Sequence, residues 1–363
     1  MGLIIVESPT KARTFNRILK DKDFFVFATM GHIRDLPTNK MAIDFKHYFK
    51  PDYKIIKGKQ KIVDQLKKLG SQNKDIILAT DPDREGESIS YHAAYILGYI
   101  KENWPDFQYK NDSLKRIVFH EITSQALDEA LKNPQSIRIN LVKAQQARRI
   151  LDRIVGYELS PLLWKKIGKN WLSAGRVQTV ALRLIVEREK EIKSFKQDEY
   201  FQIYGNFANG ELIKAKLIKK DNHTYEQVFR LYLFDGEYQY TKTDINKDNL
   251  SGIEKDLRQD NYHVSAITES LINRYPPPPY TTSLLQQDGF IRYGFSSRMT
   301  MKLAQDLYER GLITYHRTDS FNLSTQFVFK AKDYIEDKFG KDSQGHIMRM
   351  VHIPLKRRLL EGK

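Results

Sequence analysis

Tyr315 and Arg317, within Gly311-Leu312-Ile313-Thr314-Tyr315-His316-Arg317-Thr318-Asp319-Ser320, set a phenol two residues from a guanidinium. A phenol is a poor nucleophile at neutral pH, because its unperturbed pKa is about 10. A guanidinium two residues on can favour the phenolate and hold a phosphate, which suits attack on a phosphodiester. The chain has 20 tyrosines, so packing or a hydrogen bond is the competing role for this one. Far upstream, Glu7 and Asp81-x-Asp83-x-Glu85 supply a second constellation. Carboxylates converging in one crevice raise each other's pKa unless a cation sits among them. Oxygen donors without His or Cys favour Mg²⁺ over zinc or copper. Taken singly, Asp83 also reads as a turn residue or a helix cap.

The elements that must position these groups are legible in outline. Leu3 to Val6 is a wholly apolar run, as expected of a strand buried on both faces of a parallel sheet. Asp75 to Thr80 repeats the pattern, and Arg116 to Phe119 is a third candidate. Helical patterns follow each: one after Ala12, one over Ser88 to Ile100, one over Ser124 to Leu131. This alternation predicts an α/β layer with a mostly parallel sheet. In such sheets the active crevice lies beyond the carboxyl ends of the strands, where Glu7, Asp81 and Asp83 fall. The tyrosine follows a helical run through Thr300, Leu303, Ala304, Leu307 and Tyr308, stopped by Gly311.

Composition narrows the partners. The 363 residues suffice for two or three domains. A formal net charge of +15, from 60 Lys+Arg against 45 Asp+Glu, biases the chain towards polyanions, nucleic acid above all. Cysteine is absent, which removes thiol catalysis, disulfides and zinc ribbons together. The apolar start meets Glu7 too early for a signal sequence, and no apolar run approaches the ~18 residues of a membrane span. The expectation is a cytoplasmic, nucleoid-associated protein. With neither a Walker-type loop nor a GxGxxG, no bound ATP or dinucleotide is expected.

Residues 141–200 carry 13 Lys+Arg against 7 Asp+Glu, an excess that suits a backbone-tracking groove. Arg148 and Arg149 lie one helical turn before Asp152 and Arg153, so one face offers cations held by a carboxylate. Trp164 and Trp171 could stack bases there, although core packing is the commoner fate of tryptophan. From about Phe201, short alternating runs such as Leu212 to Ile218 and Phe229 to Phe234 predict an antiparallel β region, with Ser251 to Leu257 helical. Pro276 to Pro279 reads as a stiff polyproline joint.

Glu7 with Asp81-x-Asp83-x-Glu85-Gly86 resembles the Toprim metal site of topoisomerases, bacterial primases and some nucleases. Together with Gly311 to Ser320, the chain resembles a type IA DNA topoisomerase of the bacterial topoisomerase I branch. Val6-Glu7-Ser8-Pro9-Thr10-Lys11, Gly31-His32-Ile33-Arg34-Asp35-Leu36-Pro37, Gln146 to Arg153, Ser173 to Gln178 and Tyr280 to Gln287 agree with it. The resemblance implies a multidomain α/β plus β fold. A Toprim α/β domain would occupy 1–140, with about 38–62 a candidate segment of a helical DNA-groove domain over 141–200. A β arch segment over 201–265 and a partial helical catalytic-tyrosine domain over 266–345 would follow.

It implies Mg²⁺-dependent, ATP-independent cleavage of single-stranded DNA through a 5′-phosphotyrosyl link, relaxing negatively supercoiled DNA as a monomer. Tyr315, Arg317, Glu7 and Lys11 would be catalytic, with Lys11 the proton donor to the leaving oxygen. His32, Arg34, Arg148, Arg149, Asp152, Arg176 and Gln178 would meet DNA. Glu7, Asp81, Asp83 and Glu85 would hold the metal. His316 stands where a methionine is more usual. The resemblance is followed to about Gly340. Family members continue with a Gln-Glu-Ala-His-Glu-Ala stretch and the returning halves of the arch and groove, whereas 346–363 reads as a basic tail outside the family. The expectation is therefore a C-terminally truncated form. Two competitors remain: a DNA-binding fragment without turnover, and a primase or nuclease using the same carboxylates.

Overall fold

The computed structural model describes residues 2–109, 114–272 and 277–340. The chain forms two compact units, one of residues 1–157 with 273–363 and one of residues 158–272.

The first unit opens with β1 (Gly2–Val6), α1 (Pro9–Ile18) and β2 (Phe24–Ala28). Four two-residue strands follow: β3 (Arg34–Asp35), β4 (Ile43–Asp44), β5 (Lys50–Pro51) and β6 (Lys54–Ile55). Then come α2 (Gln60–Gln72), β7 (Ile76–Leu78), α3 (Arg84–Ile96), the hairpin of β8 (Ile100–Asn103) and β9 (Asp106–Tyr109), β10 (Leu114–Arg116) and α4 (Ser124–Lys132). The long α5 (Ile139–Ile167) begins here and carries the chain into the second unit.

Four of these strands form one parallel sheet in the order β10-β7-β1-β2. Every residue of β1 is buried. Because side chains alternate between faces along a strand, Ile4 and Val6 enter one core and Leu3 and Ile5 the other. From β1 the chain first pairs on one side with β2 and later returns on the other side as β7. The β1/β7 gap is therefore the switch point at which such sheets bind ligands. Glu7 and Asp81 follow those two strands.

The second unit contains α6 (Arg176–Ser194) and three antiparallel ribbons. These are β11 (Tyr204–Asn209) with β12 (Glu211–Lys216), β13 (Lys219–Lys220) with β14 (His223–Thr224), and β15 (Glu226–Leu233) with β16 (Gly236–Thr243). With α7 (Lys247–Gln259) they surround a small core of Tyr225, Ile245 and Ile253. Helix α6 buries none of its residues. The tryptophans are not core residues: Trp164 is 40% and Trp171 71% exposed.

The chain then rejoins the first unit as α8 (Thr282–Tyr293), α9 (Ser297–Glu309) and α10 (Thr325–Phe339). Helix α9 lies against α1, where the Thr14 hydroxyl donates to the Glu309 carbonyl at 2.7 Å. Tyr308 and Tyr315 join the core on the Ile4 and Val6 face of the sheet. The Tyr315 amide donates to the His120 carbonyl at 2.7 Å. The tyrosine segment is thus sealed onto the α/β layer.

Differences from the sequence reading are local. The third sheet strand covers 114–116 rather than 116–119, and α3 starts at Arg84 rather than Ser88 because Asp83 caps it. Pro276 and the tail 346–363 lie outside the described residues, and Pro277 to Pro279 adopt no regular structure. No helix among the described residues is long and apolar enough to cross a membrane.

Gly311 carries the strain of the turn into the tyrosine. Its φ is +77°, and a Cβ there would lie 2.4 Å from the Ile122 carbonyl oxygen. Gly311→Ala should destabilise the first unit by about 1–3 kcal/mol, the usual cost of a left-handed non-glycine residue, more if the clash is not relieved. Urea unfolding followed by circular dichroism measures it. Stability equal to wild type would show that this turn does not pin the tyrosine.

Candidate active site

The site is built on the loop after β7. Asp83 adopts an extended backbone, and its Oδ1 accepts from the Gly86 amide at 2.9 Å, which starts α3. Gly86 must be glycine for α3 to close on this loop: a Cβ would sit 2.3 Å from the Asp81 carbonyl oxygen. A buried polar net holds the loop from beneath. Arg116, fully buried, donates to the carbonyls of Leu78, Ile117 and Asp81 and to Glu87 Oε2. Glu87, equally buried, also accepts from the Arg138 backbone amide at 2.7 Å, while the Arg138 guanidinium reaches the Pro82 carbonyl at 2.8 Å.

Sequence reasoning gave Glu87, Arg116 and Arg138 no role. The available signal was Arg116 itself, a cation at the end of a sheet strand, where burial obliges a partner.

At the switch point, the Lys11 ammonium lies between Glu7 and Asp81, 2.6 Å from Asp81 Oδ1 and in contact with Glu7 Oε1. Lys11 is fully buried. Burial would lower its pKa, but the two carboxylates outweigh it and raise it. Burial would raise Asp81, but the Lys11 charge prevails and holds it below the ordinary range. Glu7 goes the other way: burial, reinforced by Asp81, pushes it up to about 8 against the pull of Lys11. The cation that the acidic pair requires is therefore supplied by the protein.

Tyr315 meets this loop from the opposite end of the sequence. Its hydroxyl donates to Asp83 Oδ2 at 2.6 Å. Its ring stands edge-on to Tyr308, 5.1 Å between centroids, and is 7% exposed. Arg317, half exposed, lies 3.6 Å from the same Asp83 oxygen. The expected phenolate is not favoured here. Burial first, then the Asp81 charge and the bond to Asp83, raise the Tyr315 pKa above its ordinary value, and Arg317 opposes them without prevailing. The neighbouring His316 is buried with neither ring nitrogen hydrogen-bonded.

Glu7, Asp81, Asp83, Glu85, His32 and Arg317 line one cavity of about 470 Å³. Glu85 is held below the ordinary range, first by His32, whose Nε2 is 3.3 Å away, and then by Gln145. No three acidic or imidazole groups among the described residues close around one point. The donor chemistry nonetheless fits a hard divalent cation: carboxylate oxygens face a common cavity, and buried Glu7 Oε2 has no hydrogen-bond partner. Asp81, Asp83 and Glu85 would hold it, with Glu7 beside them.

The residues expected at DNA divide. His32 faces the cavity. Arg34 is instead turned inward, 6% exposed, bonded to Glu102 at 3.0 Å and stacked on Tyr95 at 3.8 Å. Arg149 makes two bonds to Asp35, at 2.8 and 2.7 Å, and Arg148 and Asp152 are half-buried on the same helix. Arg153, read as a groove cation, is buried and donates to the carbonyls of Leu36, Pro37 and Lys40. Arg176 and Gln178 belong to the second unit, at the start of α6.

Comparison with known proteins agrees with this geometry. Residues 2–122 match the Toprim domain family, so the parallel layer with its acidic loop is a Toprim domain. Residues 136–357, a span that contains the tyrosine motif and runs past Gly340, match a family described as DNA topoisomerase. Full-length topoisomerase I from Thermotoga maritima is similar in structure, with a TM-score of 0.74 and 37% sequence identity over 93% of this chain. The chain spans about half the length of that protein, 53%. It belongs to the bacterial type IA DNA topoisomerase family.

The Glu7 shift sets a pH dependence. A carboxyl whose pKa is raised in the folded state stabilises below its ordinary value of 4.5, and that contribution is lost as pH rises through about 8. His92 and His316, both lowered chiefly by burial, act oppositely, but above pH 7 only the tail of their titration in the unfolded chain, about a quarter of a proton each, remains. From pH 7 to 9, with metal chelated, the melting temperature should fall, and Glu7→Gln should flatten the fall. A wild-type curve as flat as the variant's would remove Glu7 as the titrating group.

Proposed function

We propose that this chain carries the single-strand cleavage and rejoining chemistry of a type IA topoisomerase, with single-stranded DNA as substrate. The observation that carries it is the Tyr315–Asp83 hydrogen bond, which joins a nucleophile to an acidic loop 232 positions away in sequence. Asp83 is placed to take the phenol proton as Tyr315 Oη attacks the phosphorus. The phosphorus–O3′ bond breaks, leaving a 5′-phosphotyrosyl link and a 3′-oxygen. Lys11, buried and charged behind Glu7 and Asp81, would protonate that oxygen. A Glu7 carboxyl that keeps its proton near neutrality can reload the lysine. Arg317, exposed on the cavity wall, would neutralise charge developing on the phosphate. Mg²⁺ held by Asp81, Asp83 and Glu85 would supply charge stabilisation at the broken end. The covalent link conserves the energy of the broken bond, so no nucleotide is consumed.

A labelled single-stranded oligonucleotide should become covalently attached to the wild-type chain. Tyr315→Phe should abolish the adduct entirely, and Lys11→Met should reduce it by two or more orders of magnitude, the range of a lost general acid. Gel electrophoresis under denaturing conditions reads both. Metal-dependent strand breakage that persists in Tyr315→Phe would overturn the topoisomerase reading in favour of a nuclease. Because the chain spans half of its relative, plasmid relaxation is a separate measurement, and adduct without relaxation locates the deficit in strand passage.

A further inference from the structure

A second surface combines aromatic rings with cations, and none of its residues lines the cavity. Strands β4 and β5 pair antiparallel and close the loop of Phe45 to Phe49. At its tip Tyr48 and Phe49 both have left-handed backbones, φ +52° and +57°. Bulky residues avoid this region, and two in succession are held only where the surroundings impose them. Three contacts impose them here. Trp104 Nε1 donates to the Tyr48 carbonyl at 3.0 Å, the Phe45 and Phe49 rings meet edge-on at 5.8 Å, and His47 Nδ1 lies 2.6 Å from Asp44 Oδ2.

The base of the loop is anchored as well. Ile43 and Tyr53 pack with Leu36 into a small core closed by Ile150 and Ile154 of α5. Yet the rings so carefully held are turned outward: Tyr48 is 76% exposed, Phe45 and Phe49 each 49%. Residues 40–61 carry seven lysines against two aspartates. Lys46 and Lys50, on the loop itself, form no ion pair among the described residues.

We propose that Phe45 to Lys50 is a base-stacking site for single-stranded DNA, separate from the cavity, with bases on Tyr48 and Phe49 and phosphates on Lys46 and Lys50. Unpaired bases expose the faces that such rings can stack on, whereas duplex DNA hides them, and the lysines match the backbone charge. The proposal rests on the reading that the chain acts on single-stranded DNA.

Anisotropy of a labelled 25-nucleotide oligothymidylate tests it in the Tyr315→Phe background, where no adduct forms. Tyr48→Asn with Phe49→Asn removes both rings while keeping residues that tolerate the left-handed backbone. Affinity should fall about tenfold, with the salt dependence of binding unchanged and blunt duplex binding unaltered. Lys46→Gln with Lys50→Gln should lower the slope of log affinity against log salt by about 1 to 2. Oligothymidylate affinity unchanged in both double variants, at wild-type melting temperature, overturns the proposal, as does an equal loss for duplex. Absence of adduct in wild type itself counts against the cleavage chemistry, while a ring-dependent loss of binding still supports the stacking site.

Discussion

One buried ammonium holds the site together. Lys11 lies beneath the surface between Glu7 and Asp81, where its charge is stabilised by the Asp81 carboxylate and by contact with Glu7. An unpaired ammonium at that depth would lose its proton, and an unpaired pair of carboxylates would be driven apart or protonated. The three groups therefore define one another's protonation. Two of them hang from the ends of adjacent parallel strands, at the gap where the sheet order reverses, and the third stands one helical turn beyond Glu7 on α1.

That arrangement is costly, and the rest of the first unit supports it. Arg116, Glu87 and Arg138 satisfy the carbonyls of the β7–α3 loop from within, so Asp81 and Asp83 cannot drift. Tyr308 and Tyr315 cover the other side as part of the sheet's own hydrophobic core. Burial explains why Tyr315 is held as a neutral phenol with a carboxylate already on its proton. In the proposed cleavage Asp83, the group in contact, would be the base, and Arg317, half exposed, would turn from Asp83 to the phosphate.

Two arginines of α5 have structural partners that local charge patterns do not display. Arg149 and Arg153 share a helix face with the look of a polyanion groove, and Arg149 is bidentate to Asp35 while Arg153 caps three loop carbonyls. They hold the 35–40 segment, and through it the β4–β5 loop, against the helix.

From the chain's letters alone came the parallel layer, the acidic loop at its strand ends, the tyrosine with its arginine, and the family to which they belong. Each was readable because it rests on short-range rules: an apolar run for a doubly buried strand, turn residues after it, a glycine to stop a helix. Short elements such as β2, and the ion pairs of Arg34 and Arg116, were not readable, since their partners lie 22 to 68 positions away. Protonation was decided by the tertiary structure alone. Whether Glu7 is charged, whether Tyr315 is a phenol, and whether a lysine or a metal balances the carboxylates all depend on depth and on distances of a few ångströms between remote residues. Electrostatic energies change steeply over those distances, and no spacing along a chain encodes them.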